Sequence, residues 1–244
     1  MQGQMHVPTL TKANKGIIGT YIGLFILSSI LGSSGKGSLI PILGLSSSGI
    51  QSGLIFQYLT FPFVDAGFTA VLFNALLIWF IGSELEVKWG TKFYLKYILA
   101  SVLAAGIFYT VAFGFLASAS LPIYGMTGTN LALILAYAII YSERTMVFMF
   151  IFPMKAKYFC MILGAIELFM GFFSSYSHAA WSHLAAMAGA FMYLKFKSLQ
   201  AKGVTLGSIK AERHRQKMKG KLSLVKDEEK KPDKPDPDNP KYWQ

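Results

Sequence analysis

Charge is scarce in this chain. Of its 244 residues, 14% are Asp, Glu, Lys or Arg and 53% are hydrophobic, whereas a soluble domain carries roughly 25% charged residues. A water-facing surface cannot be built at that ratio, so the chain is expected in a membrane. Between Lys96 and Glu143 no charged residue occurs at all. Cysteine is nearly missing too: the single thiol, Cys160, excludes an intramolecular disulfide and is most simply a small side chain packed in an apolar run. No small-residue cleavage site follows the first apolar stretch, which is therefore expected to remain as a span. No inverted repeat is visible, and charges inside the apolar segments are too few for a transporter or channel. No cofactor or metal is expected.

What is present is a series of apolar segments near the length a spanning helix needs, about 20 residues. They cover 16–31, 68–81, 93–115, 127–141, 158–173 and 179–193. Between the first two lies a Gly- and Ser-rich stretch with apolar patches, 32–60. Connections of this length carry function or lie on the membrane. The residues 83–90 and 143–157 read as loops, and 118–125, with Pro122, as the break inside the uncharged run.

The basic residues test this count. Lys12 and Lys15 precede the first segment, Lys88 and Lys92 follow the second, Arg144, Lys155 and Lys157 follow the fourth, and a basic tail follows the sixth. The other connections hold only Lys36 among basic residues. Cytoplasmic loops carry the Lys/Arg excess, so both termini are expected inside, with an even number of spans. The expected fold is an all-α bundle of six transmembrane helices over 16–197, after a cytoplasmic segment 1–15 and before a basic tail 198–244.

The net charge of +11 is concentrated in that tail, which from Lys195 onward holds 14 Lys/Arg against 7 Asp/Glu. Basic juxtamembrane segments bind anionic lipid head groups, and this is the partner expected for it rather than nucleic acid; a solubilising tail without a partner is the plainer alternative. Residues 204–226 have the composition of a helix lying on the inner leaflet, and 227–240, a Lys/Asp/Pro mixture, cannot bury a core.

Polar residues inside spans are costly and tend to be functional. Asn74, Thr127, Glu167 and His183 stand out. In the topology above, Asn74, Thr127 and His183 lie at one level beneath the outer surface and suggest a shared site. Each also has a structural reading: Thr127 bonding a backbone carbonyl, His183 a neutral core histidine, Asn74 an interhelical bond. Glu167 lies about 15 Å into its helix at 1.5 Å per residue; it is expected either protonated or bonded to a neighbouring helix.

Short motifs then align with a known family. Gly125-Met126-Thr127-Gly128 resembles the Gly-x-Ser-Gly motif of rhomboid intramembrane proteases, and Ser182-His183-Leu184-Ala185-Ala186 resembles their Ala-His-x-x-Gly motif. The stretches 56–63, 72–74, 82–90 and 152–158 are similar to the family in the same order, and the resemblance covers roughly residues 8 to 197. It implies Thr127 in the place of the nucleophile, His183 as the base, and Asn74 with the backbone of Thr127 and Gly128 around the oxyanion, in a frame set by Gly125 and Gly128. A hydroxyl–imidazole pair of this kind cleaves peptide bonds in other proteases.

Three departures weigh against that chemistry. Thr127 replaces Ser and adds a methyl that restricts χ1. Ala70 stands where the family has a second oxyanion donor, a loss of about a hundredfold in rate or more. Leu131 replaces an aromatic that stacks on the base. A milder change is Ala186 for a Gly where the fourth and sixth helices meet, although Ala186, Gly189 and Ala190 remain small enough for close packing. Two functions stay open: an inactive protease that binds client transmembrane helices, or an active endopeptidase cutting single-span proteins near the outer face. The compact core suggests a bacterial inner membrane. Oligomeric state and the identity of client or substrate stay open.

Overall fold

A computed structural model describes residues 9–35, 37–116, 121–148 and 152–201. Lys36, the extreme N-terminus, part of the predicted break near Pro122, and the tail beyond 201 lie outside the described residues. The chain divides into a unit Met1–Lys195, which contains all six apolar segments, and a unit Phe196–Gln244.

Among the described residues, four helices are long and apolar enough to cross a membrane: Lys12–Ser33, Phe68–Trp89, Thr91–Phe115 and Ala156–Phe173. The first is α1. The second comprises α5 (Phe68–Leu77), a π-helical stretch (Ile78–Gly82) and α6 (Ser83–Trp89). The third is α7 (Thr91–Tyr109) with a π-helical end at Thr110–Leu116. The fourth is α9, Ala156–Phe173. Two further helices complete the expected segments, α8 (Thr127–Ile140) and α10 (Ser177–Ala201). At 1.5 Å per residue the 14 residues of α8 extend only about 21 Å. Most of α8 is buried, so it meets other helices rather than lipid. The exposed surface is apolar along α9, with Met161, Phe169, Phe172 and Phe173 turned outward. A patch of that kind is rare on a soluble monomer.

The predicted loop 83–90 is instead a continuation of the second long helix. Its acids find partners. The Glu86 carboxylate accepts from the Thr11 hydroxyl, from the Ala13 N–H at 3.3 Å and from the Thr91 hydroxyl at 2.7 Å. The chain turns only at Gly90, where φ is +78°, a conformation glycine adopts without a Cβ clash.

Helix α1 lies at the edge, with 11% of its apolar window buried. Its buried residues are Asn14, Tyr21 and Ser28, seven apart, hence on one stripe every two turns. Each is polar and anchors the helix. Asn14 accepts from the Tyr94 hydroxyl at 2.7 Å, Tyr21 reaches Asp65 at 2.7 Å, and Ser28 accepts from the Leu39 N–H at 3.0 Å. Gly82 makes room for the first contact, since a Cβ there would lie 2.5 Å from the Tyr94 hydroxyl.

The long connection before α5 is folded, not open. It forms α2 (Ile40–Leu43), α3 (Ser47–Gln51) and α4 (Gln57–Thr60). The fully buried Gln57 ties it together, accepting from the Ser46 N–H at 3.2 Å and donating to the Ile42 carbonyl at 3.0 Å. Leu45 pairs with Ile123 in an isolated antiparallel bridge that brings this segment to the entry of α8.

The expected all-α bundle has one exception. Strands β1 (Thr145–Phe148) and β2 (Phe152–Lys155) form an antiparallel hairpin, Thr145 opposite Lys155, in the α8–α9 connection. Glu143 accepts from Lys155 at 2.7 Å and from Lys157. These hydrogen bonds push the Glu143 carboxyl down to about 2, below an ordinary glutamate near 4.3. A depressed carboxyl favours the folded state above its unfolded value, and that contribution fades as pH falls through the lower one. Amide exchange across 145–148 and 152–155, corrected for intrinsic rate, should therefore match at pH 7 and about pH 6 and rise as pH falls from about 4.3 towards 2.

Candidate functional site

The entry to α8 is a turn that glycine permits. Gly125 has φ +92° and its N–H donates to the Phe61 carbonyl at 3.0 Å. A Cβ on Gly125 would sit 3.0 Å from Asp65 Oδ2. Thr127 opens the helix and Gly128 follows, buried against α10. A Cβ on Gly128 would meet His183 Cδ2 at 3.1 Å and the Ala186 Cβ at 3.4 Å. Gly128, His183 and Ala186 thus form the close crossing expected of small residues on the fourth and sixth segments.

His183 is held from the other side. Its Nδ1 lies 3.2 Å from Glu167 Oε2 on α9, with side chains 18% and 12% exposed. The carboxyl has found its partner on a neighbouring helix, the second of the two expectations for it. Bonding at Nδ1 fixes the ring and leaves Nε2 for another group.

No such bond joins Thr127 to His183. Thr127 is half-buried, and among the described residues its hydroxyl forms no hydrogen bond with the imidazole. The cavity beside the imidazole measures about 10 Å³ and is lined by Tyr124, Gly125, Gly128, Thr129, Ser182 and His183 among others. That is roughly the space of one water. The hydroxyl-bearing residues on its wall are Tyr124, Thr129 and Ser182; Thr127 is not among the lining residues. Burial and the neighbouring Asp65 push the Tyr124 phenol up, which keeps it a neutral donor there.

Asn74 belongs to a different cluster. Its Nδ2 donates to the Tyr21 hydroxyl at 3.1 Å, and its Oδ1 accepts from Asn130 Nδ2 at 2.8 Å. The Asn74 carbonyl accepts from the same amide at 3.2 Å. The Tyr21 hydroxyl in turn donates to Asp65 Oδ2. Asp65, Tyr21, Asn74 and Asn130 form one chain of hydrogen bonds linking α1, α5, α8 and the segment before α5. Ala70, one turn before Asn74, is exposed, whereas Leu131 is buried.

Three members of that chain escaped the sequence reading. Asp65 had a signal: it is the first acid in the chain, set between Phe63-Val64 and Ala66. Asn130 had the same signal that singled out Asn74, an amide in an uncharged apolar run. Tyr21 had none, because tyrosine is common in apolar helices and only its position opposite Asp65 gives it a role.

The arrangement has a clear electrostatic bias. An oxyanion site needs donors aimed at developing negative charge. Here an acid lies against Gly125, and the one amide carried over to that role has its oxygen and at least one N–H engaged. Among the described residues no group of three or more His, Cys, Asp or Glu is placed to hold a metal ion.

Comparison with known proteins adds one match. The model of the family described as "Eukaryotic integral membrane protein (DUF1751)" matches residues 15–223. No curated protein matches the chain. The match overturns the expected bacterial inner membrane, because the family is eukaryotic. A compact core without extra domains describes a fold and carries no information on the organism that houses it.

Proposed function

We propose, from the premise that the chain belongs to this family of eukaryotic integral membrane proteins, that it is a non-catalytic rhomboid-like scaffold binding transmembrane helices of client proteins. In this reading 16–197 forms a membrane domain of six helices, short α8 included, with both termini on the cytosolic, Lys/Arg-rich side. The basic tail 198–244 meets anionic head groups.

The observation that carries the reading is the commitment of the polar groups to one another. Asn74 is bonded to Tyr21 and Asn130, and Asp65 lies against Gly125. A scaffold whose polar groups are committed to one another in this way gives up transition-state stabilisation and keeps a partly hydrophilic interior, in which Asn130 Oδ1 is buried without a partner among the described residues. Client helices with exposed polar backbone, broken by Gly, Ser or Pro, find partners at such a surface.

An active endopeptidase is the second reading, favoured by Glu167 on Nδ1 of His183, the position from which an acid orients a catalytic base. Proteoliposomes with a single-span substrate separate the two. We expect no cleavage by the native chain or by Thr127→Ser, and retention of Gly/Ser-broken helices over a poly-Leu helix in bicelles by both. Cleavage abolished by Thr127→Ala and by His183→Ala would sink the non-catalytic reading.

A further inference from the structure

At the end of the bundle opposite the Thr127 entry lies a larger cavity, about 560 Å³, lined by Thr9, Ser83, Glu84, Lys88, Tyr141 and Arg144 among others. Small-ligand sites run from about 300 to 1,000 Å³. Two cations approach the Tyr141 ring, with Lys88 Nζ 4.5 Å and Arg144 Cζ 5.5 Å from its centre. Both lie within the roughly 6 Å at which a ring face attracts a cation. Arg144 also donates to Glu84 at 2.8 Å. Its backbone is fixed as well: its N–H donates to the Tyr141 carbonyl and its carbonyl accepts from Ala156, each at 3.0 Å. Arg144 is therefore held on a hydrogen-bonded turn, and Lys88 on helix α6.

Glu84 balances one of the two charges, so the lining keeps one net positive charge. Arg144 presents five N–H donors, of which Glu84 uses one. A planar guanidinium with free donors suits the paired oxygens of a phosphate, and Lys88 adds a point charge. Ser83 and Thr9 contribute hydroxyls at the wall.

We propose that this cavity binds a phosphate monoester or diester anion, gripped by Lys88 and Arg144 over the Tyr141 ring. Two sources share that chemistry: the head group of an anionic phospholipid and a free phosphorylated polyol. The site is distinct from the basic tail and does not depend on whether the chain cleaves peptides. It borrows from the proposed function only the placement of this end of the bundle at the membrane surface.

The full chain in phosphatidylcholine nanodiscs, titrated with dioctanoyl phosphatidylinositol 4-phosphate and read by native mass spectrometry, tests this. Binding should saturate. The pair Lys88→Gln/Arg144→Gln should weaken it by about tenfold or more, since two charged contacts are lost. Lys88→Gln alone leaves the Arg144–Glu84 pair intact, guards against a folding defect, and should weaken binding by about threefold. A charge-matched control, Lys155→Gln/Lys157→Gln, removes two cations from the same connection but outside the cavity and should change binding less than the single variant. Inositol 1-phosphate that competes in the same range identifies phosphate itself as the ligand; binding of the lipid form alone identifies a lipid head group. Equal losses in the pair and the control, or no saturable binding, would overturn the proposal.

Discussion

Glu167→Ala should destabilise the folded bundle by about 1–3 kcal/mol, and His183→Ala by a similar amount. Removing one partner of this part-buried hydrogen bond leaves the other unsatisfied, at a cost of about 1–3 kcal/mol. An ordinary interhelical hydrogen bond in a membrane protein contributes only about 0.6 kcal/mol on average. The two magnitudes differ enough to decide the nature of the contact. Reversible unfolding in mixed micelles, with the double variant closing the cycle, measures it. If the pair acts as a unit, the double variant loses little more than either single one. Losses near 0.6 kcal/mol that simply add would show that α9 and α10 are held by packing, and that Glu167 does not fix the imidazole.

Gly189→Ala should cost about 1–3 kcal/mol, the range for overpacking a close-packed interior. A Cβ on Gly189 runs into the Cβ of Ala104 on α7. Neither atom is the end of a flexible side chain, so the two backbones must separate. Moving the methyl across the interface tests the geometry directly. Ala104→Gly by itself loses up to about 1 kcal/mol of helix propensity, yet combined with Gly189→Ala it should recover part of the stability. If the double variant is as unstable as the sum of its parts, the α7–α10 contact at Gly189 is not what limits the approach of the two helices. Gly189 also matters for the candidate site, because α10 carries His183 two turns earlier and a shift of α10 moves the imidazole away from Gly128.

Both results bear on function in the same direction. His183 is positioned by Glu167 and by the crossing with Gly128, and neither contact involves Thr127. An imidazole can thus be held accurately in place with no hydroxyl hydrogen-bonded to it. This is the pattern that the proposed non-catalytic reading expects.

The resemblance placed the approach of the fourth and sixth helices at Ala186, and Gly128 lies close to Ala186 and His183 there. It did not anticipate the company Asn74 keeps. An amide on one helix can face a cavity or bond to a neighbour, and its local sequence is the same in both cases. The choice was made by Tyr21 on α1 and Asn130 on α8, residues 53 and 56 positions away. The extension of the second long helix to Trp89 was hidden for a related reason. Ser83, Glu84, Glu86 and Lys88 read as a polar loop because the partners of Glu86 are Thr11 and Thr91, and only folding brings them together.

The sequence by itself determined the membrane class and the positions of the apolar helices. These follow from composition and from spacing along one helix, which are local properties. The tertiary structure alone decided which polar groups are spent on each other, that a carboxyl shares the imidazole, that Asp65 lies against Gly125, and that Lys88 and Arg144 both approach the Tyr141 ring. In a low-dielectric interior the worth of a polar group depends on its partner, and partners distant in sequence become neighbours only when the chain is packed.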